Sequence, residues 1–327
     1  MNATNPTRST APVDGSLVLP GRVDIMEVGL RDGLQSAARV VPTDAKLALL
    51  DGLLAAGVTR IQVASFVHPE RVPQMADAEA LVARLPRRVD VVYSGLVLNR
   101  RGVDRAVAAG LDHVDVSMSV SDAHSRRNAG MGVEEAEQRL LENVAAAQAS
   151  GLNVRGGLQC VFGSVAGEEI DVRLVARIAG RLAASGVVEI ALADSAGLAD
   201  PQRITRVVGA VRAEIGSVAL VMHLHDTRGL GIANLVAALQ MGVSRFDTAF
   251  GGLGGCPFIP GAAGNVATED VVGMLDAMGI TTGVDVEGVC RVSARARELL
   301  GEDLPSRVFG LWVSQQRTSR TPSAVTS

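Results

Sequence analysis

His223-Leu224-His225-Asp226 follows directly on an apolar run, Val218-Ala219-Leu220-Val221-Met222. Side chains two apart on a strand share a face, so His223 and His225 aim at one point while Leu224 turns into packing. Two imidazoles converging at the end of a buried strand form a metal-ligand pair, whereas a single histidine there reads more simply as a core residue. Oxygen donors occur at comparable places in the chain. Asp32 lies in Glu27-Val28-Gly29-Leu30-Arg31-Asp32-Gly33, behind the first apolar run, and Asp194 ends the sixth. Asn265 comes after Gly251-Gly252-Leu253-Gly254-Gly255-Cys256-Pro257, which follows the eighth. Each has a plainer alternative: Arg31 and Asp32 as a local ion pair, Asp194 as the cap of the next turn, Asn265 as the N-cap of a helix over 267–278. The glycines could be a simple flexible connection, or a loop that must move or approach a ligand closely. A mobile loop bearing one thiol, Cys256, is a lid candidate.

The elements that must position these residues are legible as an alternation. Apolar strand-like runs fall near 23–28, 59–64, 89–95, 112–118, 153–160, 187–193, 218–224 and 244–250. Helical patterns fill 43–56, 73–85, 99–109, 132–150, 168–185, 200–215, 228–242 and 267–278, with a further helix near 286–301. Glycine recurs where a helix hands over to the next strand, at Gly57, Gly110, Gly151, Gly186, Gly216 and Gly242, the position of a helix C-terminal cap. Eight strand–helix units in about 260 residues predict a (β/α)8 TIM barrel with an extra C-terminal helix. A doubly wound sheet is the alternative, but no G-x-G-x-x-G follows the first strand. The expected organisation is a disordered tail over 1–22, the barrel over 23–304 and a flexible tail over 305–327. In a barrel, functional side chains gather behind the strands, on the C-terminal face. There the sequence places Arg31 and Asp32, Ser65 and Phe66, Arg155 and Gln159, Asp194, the two histidines, the glycine loop and Asn265.

Composition excludes several classes. The chain is 47% hydrophobic, yet no stretch reaches the roughly eighteen apolar residues of a membrane span. Aromatics are 2% and the net charge is −4 without a basic run, which argues against nucleic-acid partners. Cys160, Cys256 and Cys290 are too few and scattered for a disulfide framework, so a reducing cytoplasm is expected. Cys160 and Cys290 read as buried thiols, and His68 and His113 as structural. His124 either touches substrate or packs. Lys46 is the chain's only lysine and lies in the first turn of a surface helix, where a solvated side chain is expected. Schiff-base chemistry needs a desolvated lysine in the site, so carbonyl chemistry here would need a metal.

The segment Gly251–Phe258, continued by Pro260-Gly261-Ala262-Ala263-Gly264-Asn265-Val266-Ala267-Thr268-Glu269-Asp270, resembles the signature of the 3-hydroxy-3-methylglutaryl-CoA lyase family. Glu27–Gln35, Ser65-Phe66-Val67, Val72-Pro73-Gln74-Met75 and His223-Leu224-His225-Asp226-Thr227 match the same family, and the likeness runs from about Val23 to Gly283. The cysteine-loop signature is specific; the Arg-Asp-Gly and His-x-His elements are shared with a wider set of metal-dependent acyl-CoA lyases and condensing enzymes. The resemblance implies a metal-dependent barrel lyase that splits a 3-hydroxyacyl-CoA, with 3-hydroxy-3-methylglutaryl-CoA as the leading substrate. It assigns Asp32, His223, His225 and Asn265 as ligands of a divalent metal, Mg2+ or Mn2+. It makes Arg31, Asp32, His223 and Cys256 catalytic, and implies Gln62, Arg155, Asp194 and Glu269 in substrate binding. The partner it implies is an acyl-CoA thioester, in a homo-oligomer, dimer or tetramer, with no nucleic acid or membrane partner.

Three departures from the family pattern fall on the same face. Gln62 stands where a glutamate is usual, Arg228 where a tyrosine follows His-Asp-Thr, and Gly163-Ser164-Val165 where Gly-Cys-Pro is usual. An amide keeps the reach of glutamate but cannot ionise. If Gln62 faces the mouth, restoring glutamate is expected to raise cleavage of the methylglutaryl substrate. An inward Arg228 would add positive charge.

Overall fold

A computed structural model describes residues 18–255 and 264–320. Eight parallel strands close into a barrel in chain order: β1 (Asp24–Glu27), β2 (Arg60–Ser65), β3 (Val92–Val97), β4 (His113–Ser119), β5 (Asn153–Gln159), β6 (Glu189–Ala193), β7 (Ala219–His223) and β8 (Arg245–Thr248). The outer layer comprises α1 (Thr43–Ala55), α2 (Ala78–Val82), α3 (Arg100–Ala109), α4 (Asp122–Ala129), α5 (Val133–Ala149), α6 (Val172–Ala184), α7 (Pro201–Ile215), α8 (Gly231–Gln240) and α9 (Thr268–Ala277), followed by α10 (Val286–Leu300) and α11 (Arg307–Arg320). All eight expected strands form. No helix among the described residues is long and apolar enough to cross a membrane.

The six hand-over glycines all carry positive φ. Gly57 shows why: at φ 83° an added Cβ would sit 2.4 Å from the Gly283 carbonyl oxygen, so neither backbone nor space accepts a side chain. Ile190, Leu192, Leu220, Met222 and Phe246 are buried and alternate with the inward positions of their strands, sealing sheet to helices.

The barrel interior departs from the usual filling of branched apolar side chains. Near its base, Glu189 accepts from Arg60 at 2.6 Å and also from Arg245. Higher up, the strand register sets Asp115 beside Arg155 and His223 beside Asp247. Buried charges cost several kcal/mol each unless paired, and here they are paired with one another.

Three regions differ from the sequence expectation. The 73–85 pattern resolves into a 3-10 turn at Pro73–Met75 and the short α2. The polar α4 has no apolar stripe to announce it; Ser121 starts it by accepting from His124 N at 3.1 Å. The expected flexible tail over 305–327 contains α11, whose Phe309 is 2% exposed and lies beneath the Arg297 guanidinium. Asp270 fastens its start, accepting from Ser306 Oγ at 2.8 Å and Val308 N at 2.8 Å. Lys46 is likewise no solvated lysine. It is 1% exposed, donating to Asp77 at 2.5 Å and the Gln74 carbonyl at 2.6 Å, and so ties α1 to the segment before α2. It does not line the mouth of the barrel.

Candidate active site

A cavity of about 250 Å³ opens at the C-terminal end of the strands. Arg31, Asp32, Gln62, Asp115, Arg155, His223, His225 and Asp247 form its polar floor, and Val67, Val72, Leu96 and Leu98 part of its apolar wall. Arg31 and Asp32 come from a single π-type turn, Gly29–Gly33, behind β1. His223 ends β7, and His225 lies two residues on, bridged to Asn265.

These residues converge. The Nε2 atoms of His223 and His225 are 3.2 Å apart, and Asp32 Oδ2 is 3.8 Å from each. On its other side, His223 Nδ1 faces Asp247 Oδ2 at 3.1 Å. A carboxylate takes a proton donor, so Nδ1 carries the hydrogen and Nε2 presents its lone pair to the cluster. Asn265 does not cap a helix: α9 has Ala267 at its N-cap position. Its Nδ2 donates to Asp32 at 2.7 Å and to the Leu253 carbonyl at 3.1 Å, while Oδ1 is buried without a partner among the described residues. Buried acceptors are rarely left unpaired. An orphaned oxygen beside imidazole lone pairs and a carboxylate fits a divalent cation, and Asp32, His223 and His225 by themselves bring ligand atoms within 4.8 Å of one another. Gly254 has φ 123°, and a Cβ there would lie 2.7 Å from Asn265 Nδ2, so this glycine lets the chain pass over the Asn265 side chain.

The electrostatics separate the carboxylates. Burial works to raise Asp32, but the Arg31 guanidinium and the two histidines hold it well below the usual carboxylate range. Asp247 is held low in the same way, burial being outweighed by Arg155 and His223. Glu27 is pushed by burial up to about 8, and Glu269 by burial up to about 7.

The expected substrate-binding residues divide. Gln62 faces the cavity, wholly buried, with Oε1 accepting from Arg31 Nε and Nε2 donating to Asp115. Arg155 also lines the cavity, but its nitrogens are committed: Nε lies 2.6 Å from Asp115 Oδ1, and the two terminal nitrogens hold Asp247 at 2.8 and 2.5 Å. Asp194 follows its plainer alternative. It accepts from Leu198 N at 2.8 Å and Ala199 N at 3.1 Å, closing the loop after β6, and burial raises it. Glu269 does not face the cavity; it accepts from Gly251 N at 2.9 Å and from Ser293 Oγ, pinning the root of the glycine loop to α10. Glu27 grips the same root, accepting from Gly29 N at 2.7 Å, Phe250 N at 3.0 Å and Thr268 Oγ1 at 2.6 Å. The loop therefore starts from a fixed, buried base, where flexibility along its four glycines was expected. Cys256 lies outside the described residues; Gly255 before it lines the cavity. Arg228 is exposed, so it adds no charge to the floor. His124 lines the cavity.

Asp115 and Asp247 are the residues that sequence reasoning missed. Their signal was available: each is a carboxylate inside an apolar strand, in Val114-Asp115-Val116 and Phe246-Asp247-Thr248, at an alternation that must face the barrel axis.

A (β/α)8 barrel with a His-x-His, aspartate and asparagine cluster at its C-terminal mouth defines a class of metal-assisted enzymes. Comparison with known proteins gives the particular group. The chain belongs to the HMGL-like family, whose model matches residues 22–295. It is 38% identical over 288 residues to hydroxymethylglutaryl-CoA lyase YngG of Bacillus subtilis, covering 88% of this chain and 96% of that one. The crystal structure of the Bacillus subtilis HMG-CoA lyase superposes with a TM-score of 0.87 at 37% identity, covering 90% of this chain and 99% of that one. An HMG-CoA lyase from Acinetobacter baumannii, solved with coenzyme A and 3-methylmalate, gives a TM-score of 0.84 at 34% identity, covering 94% and 97%.

Proposed function

We propose that this protein is a carbon–carbon lyase that cleaves 3-hydroxy-3-methylglutaryl-CoA to acetyl-CoA and acetoacetate. The observation that carries the reading is the convergence of Arg31, Asp32, His223, His225 and Asn265 on one point of a cavity walled by apolar side chains. The lyase names of the relatives supply the reaction.

The bond between C2 and C3 breaks, the C3 hydroxyl becomes a ketone and the acetyl-CoA half departs as an enolate that must gain a proton. Asp32, His223, His225 and Asn265 would hold a divalent ion, Mg2+ or Mn2+, and when bound it would supply Lewis acidity toward the substrate oxygens. Arg31 is aimed by Gln62 at Nε and by Asp32 at Nη1, which leaves Nη2 without a protein partner among the described residues. It donates to the thioester oxygen as charge develops there, an oxyanion-hole role. Asp32, held ionised by Arg31, is the base that takes up the hydroxyl proton. His223, held at Nδ1 by Asp247, would keep its Nε2 lone pair for the ion. Cys256, following cavity-lining Gly255, delivers the proton to the enolate carbon or seals out water.

The test is incubation with 3-hydroxy-3-methylglutaryl-CoA and Mg2+ or Mn2+, with acetoacetate and acetyl-CoA both quantified. Equal amounts of the two, lost on adding EDTA, are expected. No product from this thioester or from a panel of C3-hydroxylated CoA thioesters would leave a barrel with only a binding role. Cleavage of citramalyl-CoA or a longer 3-substituted analogue alone would move the acyl preference, at the cavity that holds Gln62.

A further inference from the structure

We propose that Asp115 is a positioning residue that aims Arg31 through the Gln62 amide, so that Gln62 and Asp115 act as one unit. The inference rests on the reading of Arg31 given above. Asp115 is 3% exposed on β4 and Gln62 wholly buried on β2, both on the cavity floor. Gln62 Nε2 and Ser94 Oγ, the latter at 2.9 Å, both donate to Asp115 Oδ2.

An ionised carboxylate only accepts hydrogen bonds, whereas an amide has a donating and an accepting end. Asp115 therefore fixes which end of Gln62 faces which neighbour: the nitrogen must meet the carboxylate, and the oxygen is left for Arg31 Nε. Without that carboxylate the amide is free to turn, and its NH2 would confront the guanidinium donor to donor. Arg31 would then keep only Asp32 as a guide.

Asp115 has a second arm. Its Oδ1 lies 2.6 Å from Arg155 Nε, Arg155 clamps Asp247, and Asp247 holds His223 Nδ1. A single buried carboxylate thus sits at the junction of two chains, one ending on the guanidinium and the other on the imidazole.

This geometry reverses the sequence expectation for Gln62→Glu. The substitution would set a second anion against Asp115 in a dry site, where like charges repel strongly, and Arg31 would lose its aim. The partner change Asp115→Asn cures the clash. In the double variant the amide nitrogen introduced on β4 donates to the carboxylate introduced on β2, and the amide oxygen faces Arg155 Nε. The carboxylate in turn accepts from Arg31 Nε. The charge has moved one residue along the same line with no change in total.

The experiment is the cycle of Q62E, D115N and the double variant, read by kcat and KM for the CoA thioester and by the thermal midpoint of each purified protein. Each single variant is expected to lose on the order of 10²-fold in kcat, the scale of a misplaced catalytic group, with KM nearly unchanged. The double variant is expected to recover to within about tenfold of the parent, with thermal midpoints that are non-additive in the same sense. A double variant no better than the poorer single variant overturns the proposal, as does full kcat in D115N. If D115N fails to fold, recovery of Q62E by the second substitution remains decisive. If the parent cleaves no thioester, the reading of Arg31 has failed on its own, and additive midpoints would then overturn the Gln62–Asp115 coupling separately.

Discussion

Glu27→Gln makes the sharpest probe of the fold beneath the site. Glu27 is wholly buried, and burial raises its carboxyl from 4.5 to about 8. Ionised, it accepts from Gly29 N and Phe250 N on Oε1 and from Thr268 Oγ1 on Oε2; protonated, it keeps the first two, and its Oε2 hydroxyl becomes the donor in the third as the Thr268 hydroxyl turns to Thr248 Oγ1, 2.7 Å away. Because the folded-state value lies above the unfolded one, the folded protein binds the extra proton between them. The contribution to stability is fully present below pH 4.5 and is lost as pH climbs through about 8. At about 1.4 kcal/mol per pH unit, that rise corresponds to an upper bound of roughly 5 kcal/mol, of which relaxation of the pocket should leave a few. Glutamine reproduces the protonated geometry, accepting on Oε1 and donating from Nε2, and does not titrate. Unfolding by urea at pH 5 and pH 8.5 measures the effect. The parent should weaken by several kcal/mol more than Glu27→Gln across that range, so that the variant is relatively favoured at the alkaline end. It should retain a smaller decline that ends near pH 7, from Glu269. Parallel stability curves for the two proteins would refute the assignment of a buried, protonated Glu27.

Asp247→Asn should weaken cation affinity by about 10–100-fold, the usual effect of losing a carboxylate behind a ligating imidazole, measured by isothermal titration with Mn2+; unchanged affinity would detach Asp247 from the cluster. Asn265→Ala removes the orphaned oxygen and should lower Mn2+ affinity while leaving the far-UV spectrum intact; an equal affinity would mean that Asn265 is not a ligand. Cys256→Ser should cost on the order of 10²–10⁴ in turnover, the range for a proton-transfer group, and a normal turnover number would return the thiol to packing. Phe309→Ala should destabilise by about 3–5 kcal/mol, visible in the urea midpoint, and a shift under about 1 kcal/mol would mean that α11 is not part of the folded body.

The barrel and its histidine pair were legible in the sequence because both are periodic. Strand alternation places His223 and His225 on one face without knowledge of any neighbour, and glycine at each hand-over marks the helix ends. What the sequence could not show is where a polar side chain ends when several partners compete. Asp194 and Glu269 sit behind strands as a site would require, yet backbone amides of Leu198, Ala199 and Gly251 capture them. Lys46 reads as solvated from its place in α1, and only the packing against Pro73–Val82 shows it buried on Asp77. The flexible tail fails for a similar reason: Phe309 has an apolar surface to cover only once α9 and α10 stand beside it.

The same logic gives the interior of the barrel its meaning. An apolar filling would have cost less desolvation than two arginines and three aspartates brought around one floor. Such charges persist where each member fixes the direction of the next, because a guanidinium can only donate and an ionised carboxylate can only accept. Around this floor Arg31, Gln62 and Asp115 form one hydrogen-bonded run and Arg155, Asp247 and His223 another, and the Asp115–Arg155 ion pair joins the two. Gln62 is the neutral amide of the first run, able to face either way. Its neutrality leaves Asp115 unopposed as the local anion, and the orientation of Arg31 then depends on a residue that need not touch the substrate.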